Sequence, residues 1–115
     1  MATHETDETE TGEMAALRDE YPSGWRVLTQ HDSVSYMIDA LMDAPEYQFS
    51  KSKLAEQAGV SRQSVHTHLP LLQQLDIVRV VEGSSPETYT LNTDGELVRE
   101  LHRLNGLINA KLDTM

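Results

Sequence analysis

The chain has 115 residues, enough for one small domain with a modest core, and no room is expected for a separate ligand-binding or catalytic domain. It contains no cysteine, which excludes a disulfide framework and a thiolate zinc site. It also lacks a run of the about 18 to 20 apolar residues that a membrane helix requires. The start is acidic, unlike a signal peptide, and a cytoplasmic location with no membrane partner is expected. Nineteen acids against nine lysines and arginines give a formal net charge of −10, a total that argues against a polyanionic partner until it is resolved along the chain.

Residues 1–20 hold seven acids (Glu5, Asp7, Glu8, Glu10, Glu13, Asp19, Glu20) against Arg18, a local charge of −6. The first 13 are rich in Thr and Glu and almost without apolar side chains, so they cannot recover the entropy of ordering. Residues 1–20 therefore read as a disordered acidic tail, with room for a helical turn or two from Met14 to Glu20. Tyr21-Pro22-Ser23-Gly24 reads as a turn, and Trp25, Val27 and Leu28 form an apolar clasp of no defined conformation.

Asp32-Ser33 offers an N-cap to a helix whose Val34, Met37, Ile38, Leu41 and Met42 follow the spacing of one buried face, with Pro45 shortly after its end. A second helix starts at a Ser50 cap and ends at Gly59, which tolerates the left-handed conformation. A third runs from about Ser61 to Leu75. Ile77 to Glu82 and Thr88 to Leu91 read as two strands joined by the turn Gly83-Ser84-Ser85-Pro86, a β-hairpin. Thr93 or Asp94 then caps a last helix with Leu97, Leu101, Leu104, Ile108 and Leu112 at spacings of four, three, four and four.

Two helices joined by a tight glycine-containing turn form a unit that can place its second helix in the DNA major groove. Ala55 is small where the helices cross, Gly59-Val60 makes the turn, Ser61 caps the second helix and Val65 packs back onto the first. The segment LAEQAGVSRQSVHTHLPLLQQLDIV (54–78) resembles winged helix-turn-helix regulators, in which a serine-capped helix rich in spaced leucines precedes an apolar strand. TYTLNTDGELVREL (88–101) is similar to the strand-to-helix junction of MarR-like and ArsR-like regulators, and the whole resembles their small haloarchaeal type. The likeness spans roughly residues 33–104. It implies an α+β, mostly helical winged helix-turn-helix with a two-stranded wing, read over residues 21–92; residues 93–115 read as a C-terminal dimerisation helix. Two positions depart from it. Pro70 sits mid-helix, where its missing amide cannot bond the carbonyl of His66 and a kink is expected. Asp76 stands where glycine is common, so its turn is less relaxed.

A helical wheel at 100° per residue puts Val65, Leu69, Leu72 and Leu75 on one side and Gln63, His66, Thr67, Pro70 and Gln74 opposite. The outward set is the reading face. Gln63 can bond adenine bidentately, Thr67 can meet a thymine methyl or a phosphate, and Arg62 can reach guanine or backbone. Ser61 and Ser64, at the helix N-terminus, suit phosphate, and His66 suits a phosphate or a base. Lys51, Lys53, Arg79 and the wing serines Ser84 and Ser85 can clamp the backbone. From Tyr47 to Glu82 the balance is +1, so the reading region is locally basic. His66 and His68, two apart on a helix, diverge and cannot chelate one metal from one face. His68 reads as a partly buried residue that orients the helix. No metal, cofactor or catalytic constellation is expected, and the sequence names no small-molecule effector.

The last helix has more apolar surface than one small domain covers: Val98 and Leu107 join Leu97, Leu101, Leu104, Ile108 and Leu112. Pairing with a second copy would bury it, although the helix can also cap its own core and Asn105-Gly106 interrupts the stripe. A homodimer implies a palindromic duplex DNA operator with half-sites about 10 bp apart. The sequence thus reads as a homodimeric DNA-binding transcription regulator, with a repressor preferred because no effector domain is visible. The other readings are a winged-helix protein-interaction module, which the acidity permits, and a plasmid or virus maintenance DNA-binding protein. An acidic surface with three lysines (Lys51, Lys53, Lys111) suits concentrated salt, where carboxylate repulsion is screened. An ordinary solubilising tail is the alternative.

Overall fold

The computed structural model describes residues 18–115, which divide into a unit ending at Asp32 and a unit from Ser33 to Met115. The expected disorder of residues 1–17 lies outside the described residues. Residues 18–20 are helical, so the last part of the acidic tail is ordered, where the sequence allows a turn or two.

In the first unit, helix α1 (Gly24–Thr29) is capped by Ser23, whose Oγ accepts from the Arg26 amide at 3.3 Å. The apolar clasp is therefore helical, and Trp25 on it is 61% exposed. Tyr21 is buried and meets the His31 ring edge-on, with centroids 6.1 Å apart. His31 in turn lies 3.3 Å from the Glu20 carboxylate.

Helix α2 (Asp32–Asp43), all but its first residue in the second unit, buries Val34, Met37, Ile38 and Leu41 as its periodicity requires. Asp32 is already within the first turn, so it is not the cap that the sequence offered; an acid at that place is favoured by the helix dipole. Helix α3 (Lys51–Ala58) begins at Ser50, which accepts from the Lys53 amide at 3.1 Å. It ends at Gly59 with φ 70°, where the Val60 amide returns to the Ala55 carbonyl at 3.0 Å. Helix α4 (Arg62–Gln74) is capped by Ser61, whose Oγ accepts from the Ser64 amide at 3.0 Å.

Pro70 lies inside α4 and does not end it. The neighbouring Leu69, Leu71 and Leu72 are all buried, and their packing holds the helix across the missing hydrogen bond while Pro70 itself is exposed. Helix α3 packs on α4, and α4 packs on strand β1 (Val78–Val81). The helix stops because Asp76 turns left-handed at φ 57° and the Ile77 amide closes back on the Leu72 carbonyl at 2.9 Å.

Strand β1 pairs antiparallel with β2 (Thr88–Leu91), with Val78 opposite Leu91 and Val81 opposite Thr88. Phe49 adds a single bridge to Tyr89, each amide donating to the other's carbonyl at 2.7 Å, a pairing the hairpin pattern does not foretell. Burial, and then the hydrogen bond from its hydroxyl to Glu87, push the Tyr89 phenol up to about 12, so it remains a donor.

Helix α5 (Glu96–Asp113) has 18 residues, about 27 Å of helix. Its N-cap is Gly95, with no side-chain capping bond, in place of the expected Thr93 or Asp94. Close packing selects that residue: a Cβ on Gly95 would stand 2.8 Å from the Asp76 carbonyl oxygen, which also accepts from Asn92 Nδ2 at 3.0 Å. The end of α4 and the start of α5 are thus tied through Asp76 and Asn92. Among the described residues no helix is long and apolar enough to cross a membrane.

This junction generates a paired prediction for urea unfolding. Asp76→Gly should stabilise by about 1 kcal/mol, because glycine adopts positive φ without a Cβ penalty. Gly95→Ala should destabilise by about 1–3 kcal/mol, because backbone, not a flexible side chain, opposes the new methyl. Equal midpoints for all three proteins would contradict the account of the junction.

Candidate nucleic-acid interface

The burial of Val65, Leu69 and Leu72 sets the rotation of α4, and the residues opposite follow. Gln63, His66, Thr67, Pro70 and Gln74 are all exposed. The outward set of the helical wheel is therefore exposed. Gln63 Nε2 donates to Thr67 Oγ1 at 3.4 Å, so these two side chains stand one turn apart on the same strip. His68 is half-buried, as its place between the two faces requires.

The helix N-terminus carries the next layer. Ser61 Oγ accepts from the Ser64 amide and donates to Ser64 Oγ at 3.0 Å, which leaves the Ser64 hydroxyl proton directed elsewhere. Arg62 and Ser61 are exposed beside them. Lys51, at the first position of α3, reaches across to α4, where its Nζ lies 3.1 Å from His66 Nδ1. Lys53 turns instead along its own helix to Glu56, 3.7 Å away.

The wing residues differ in exposure. Arg79 and Ser85 are exposed. Ser84 is half-buried, and its hydroxyl donates to the Val81 carbonyl and accepts from the Thr88 amide, both at 3.0 Å. That hydroxyl holds the turn together, which is its observed role.

Between the wing and the two helix starts lies a hollow of about 320 Å³ lined by Ser50, Lys51, Ser52, Arg62, Pro86, Glu87 and Tyr89. It brings Lys51 and Arg62 to one place although they are eleven residues apart in the chain. It also admits an acid, Glu87, held by the Tyr89 hydroxyl. The sequence does not single out Ser52, Glu87 or Tyr89; the bridge from Phe49 to Tyr89 that draws the wing over α3 has no local sequence signal. A second hollow of about 320 Å³, lined mainly by Met42, Pro45, Leu91 and Val98, carries Arg99 and His102 at the root of α5.

Along α5 the apolar stripe passes from buried to exposed. Val98 is buried and Leu97 and Leu101 are half-buried, whereas Leu104, Leu107, Ile108 and Leu112 are 41%, 54%, 49% and 58% exposed. The helix runs unbroken through Asn105-Gly106. Among the described residues no three His, Asp or Glu side chains gather as a metal site would need.

No family model and no curated protein matches the chain. Among solved structures it is similar to the crystal structure of the M. tuberculosis transcriptional regulator MosR, at 18% identity over 90% of this chain and 78% of that one, with a TM-score of 0.51. At that identity the likeness concerns the fold. The chain is a mostly helical winged helix-turn-helix with a two-stranded antiparallel wing.

Proposed function

We propose that this chain is a sequence-specific duplex DNA-binding transcription regulator, a homodimeric repressor that lays α4 in the major groove. The observation that carries the proposal is the exposed strip Gln63, His66, Thr67, flanked on one side by Lys51 and Arg62. Polar side chains that can read base edges occupy its middle and cations that can hold phosphates lie at its border. Lys53, Ser61, Ser64, Arg79 and Ser85 complete the footprint, and Ser84 supports it from within the wing.

The second subunit is proposed from α5. Leu97, Leu101, Leu104, Leu107, Ile108 and Leu112, continuing from the buried Val98, form a stripe that one copy leaves in water for most of its length. Two such helices bury each other's stripes. Twofold pairing then presents two α4 helices to half-sites about 10 bp apart in a palindrome. Repression follows from occupancy of the promoter. Ile108→Glu changes a side chain that is 49% exposed in the single copy, so the fold should persist while self-association is lost. Sedimentation equilibrium should give a dimer for the parent chain and a monomer for the variant. A parent chain that stays monomeric at tens of micromolar would refute the pairing.

DNA binding is tested by fluorescence anisotropy on duplexes enriched from a random pool. Lys51, Lys53, Arg62 and Arg79 are the cations of the footprint, and Glu56 already engages Lys53. Affinity should therefore fall shallowly with salt. Each neutralised phosphate contributes about −0.9 to the log–log slope, so Arg62→Gln should flatten it by about 1 per bound subunit. An unchanged slope would remove Arg62 from the interface. Absence of binding to any duplex would instead favour the interaction-module reading, which the net charge of −10 permits.

The acidity is proposed to match a saline interior. Screening of carboxylate repulsion should raise the thermal midpoint between about 0.1 M and about 2 M KCl. A midpoint that falls over that range would contradict salt adaptation.

A further inference from the structure

We infer that Lys51 sets His66 as a hydrogen-bond donor toward DNA, so that position 66 accepts only acceptor-bearing partners on the duplex. The inference deepens the DNA-reading proposal and rests on it. Its starting point is the 3.1 Å separation between Lys51 Nζ and His66 Nδ1. A lysine ammonium has three protons and no lone pair, so in this pair the imidazole nitrogen must accept. The lone pair on Nδ1 is then used, and the ring proton of the neutral imidazole resides on Nε2. Nε2–H is a donor and cannot accept.

Both partners are held from behind. Lys51 is half-buried at the capped start of α3, three residues before the fully buried Leu54. His66 is exposed on α4 but follows the buried Val65 and precedes the buried Leu69. The bond joins the two helices of the helix-turn-helix on their outer side, and it fixes the orientation of the ring as well as its tautomer. The two remaining ammonium protons of Lys51 stay available to a phosphate.

The chemistry of the partner follows. Purine N7, guanine O6, thymine O4 and phosphate oxygens all accept hydrogen bonds; the exocyclic amines of adenine and cytosine present donors and are refused. An imidazole released from Lys51 can turn and exchange tautomers, and so present a lone pair to those amines. Lys51 is in this sense a positioning residue, and its effect reaches the duplex through His66.

Two measurements test this on the full chain. In the free protein with ¹⁵N-labelled histidine, long-range proton–nitrogen spectra at a pH where the ring is neutral should place the His66 proton on Nε2, with the Nδ1 resonance displaced by its hydrogen bond. That displacement should vanish in Lys51→Met and return in Lys51→Arg, whose guanidinium is also a pure donor. A proton on Nδ1, or an Nδ1 resonance indifferent to Lys51→Met, overturns the inference whatever DNA does.

The second measurement uses a duplex enriched by the parent chain, with base analogues that each lack one acceptor and methylphosphonates that each replace one phosphate oxygen. Removal of one acceptor should weaken the parent by about fivefold and leave His66→Ala unaffected at that position, the coupling expected of a single hydrogen bond. Lys51→Met should reduce the coupling and Lys51→Arg restore it. A coupled base analogue identifies the acceptor as a base edge, and a coupled methylphosphonate identifies it as backbone. If the parent binds but no acceptor couples to His66, the inference fails while the DNA-reading proposal stands. If no duplex is enriched, both fail.

Discussion

The seating of one helix governs most of what this molecule can do. Val65, Leu69 and Leu72 on α4 are buried, and their burial against α3 and β1 fixes which side chains of the same helix face outward. Each such side chain contributes about 1.5–3 kcal/mol when removed from water, far more than any one polar contact on the opposite face. The exposed polar strip of α4 is therefore placed by apolar packing, and under the proposed function its residues are the ones that read DNA. Pro70 illustrates the hierarchy. A residue that removes a helical hydrogen bond is tolerated because three buried leucines surround it.

The second constraint is the shortage of positive charge. A chain with a net charge of −10 repels a polyanion at long range, and its cations must act locally. Lys51 and Arg62 meet at one hollow, while Lys53 pairs with Glu56. Even the hollow contains Glu87. Under the proposed function, such an interface leans on directional hydrogen bonds more than on counterion release. Those bonds are less sensitive to ionic strength, which fits the proposed saline setting.

Much of this was legible in the sequence, for identifiable reasons. Ser50, Gly59 and Ser61 mark helix ends because a serine hydroxyl and a left-handed glycine each satisfy backbone groups that nothing else can reach. The outward face of α4 follows from periodicity alone. Asp76 stands where the resembling regulators commonly carry glycine, and its φ of 57° shows why. What escaped the sequence depends on contacts between distant residues. The cap of α5 lies at Gly95 because Asp76 and Asn92, brought close by the hairpin, leave no space for a Cβ. The Phe49–Tyr89 bridge and the Lys51–His66 bond span forty and fifteen residues and have no local signature. The helical start of α1 at Gly24 went unseen because Trp25, Val27 and Leu28 are too few to display a period.

The central claim is that α4 reads a palindrome as one of a pair. Enrichment of duplexes from a random pool by the full chain, followed by sequencing, tests it most directly. The account predicts a single inverted-repeat motif whose half-sites lie about 10 bp apart and whose information is lost when Gln63 and Thr67 are both changed to alanine. Enrichment of no motif, or of one that survives those substitutions unchanged, would contradict it.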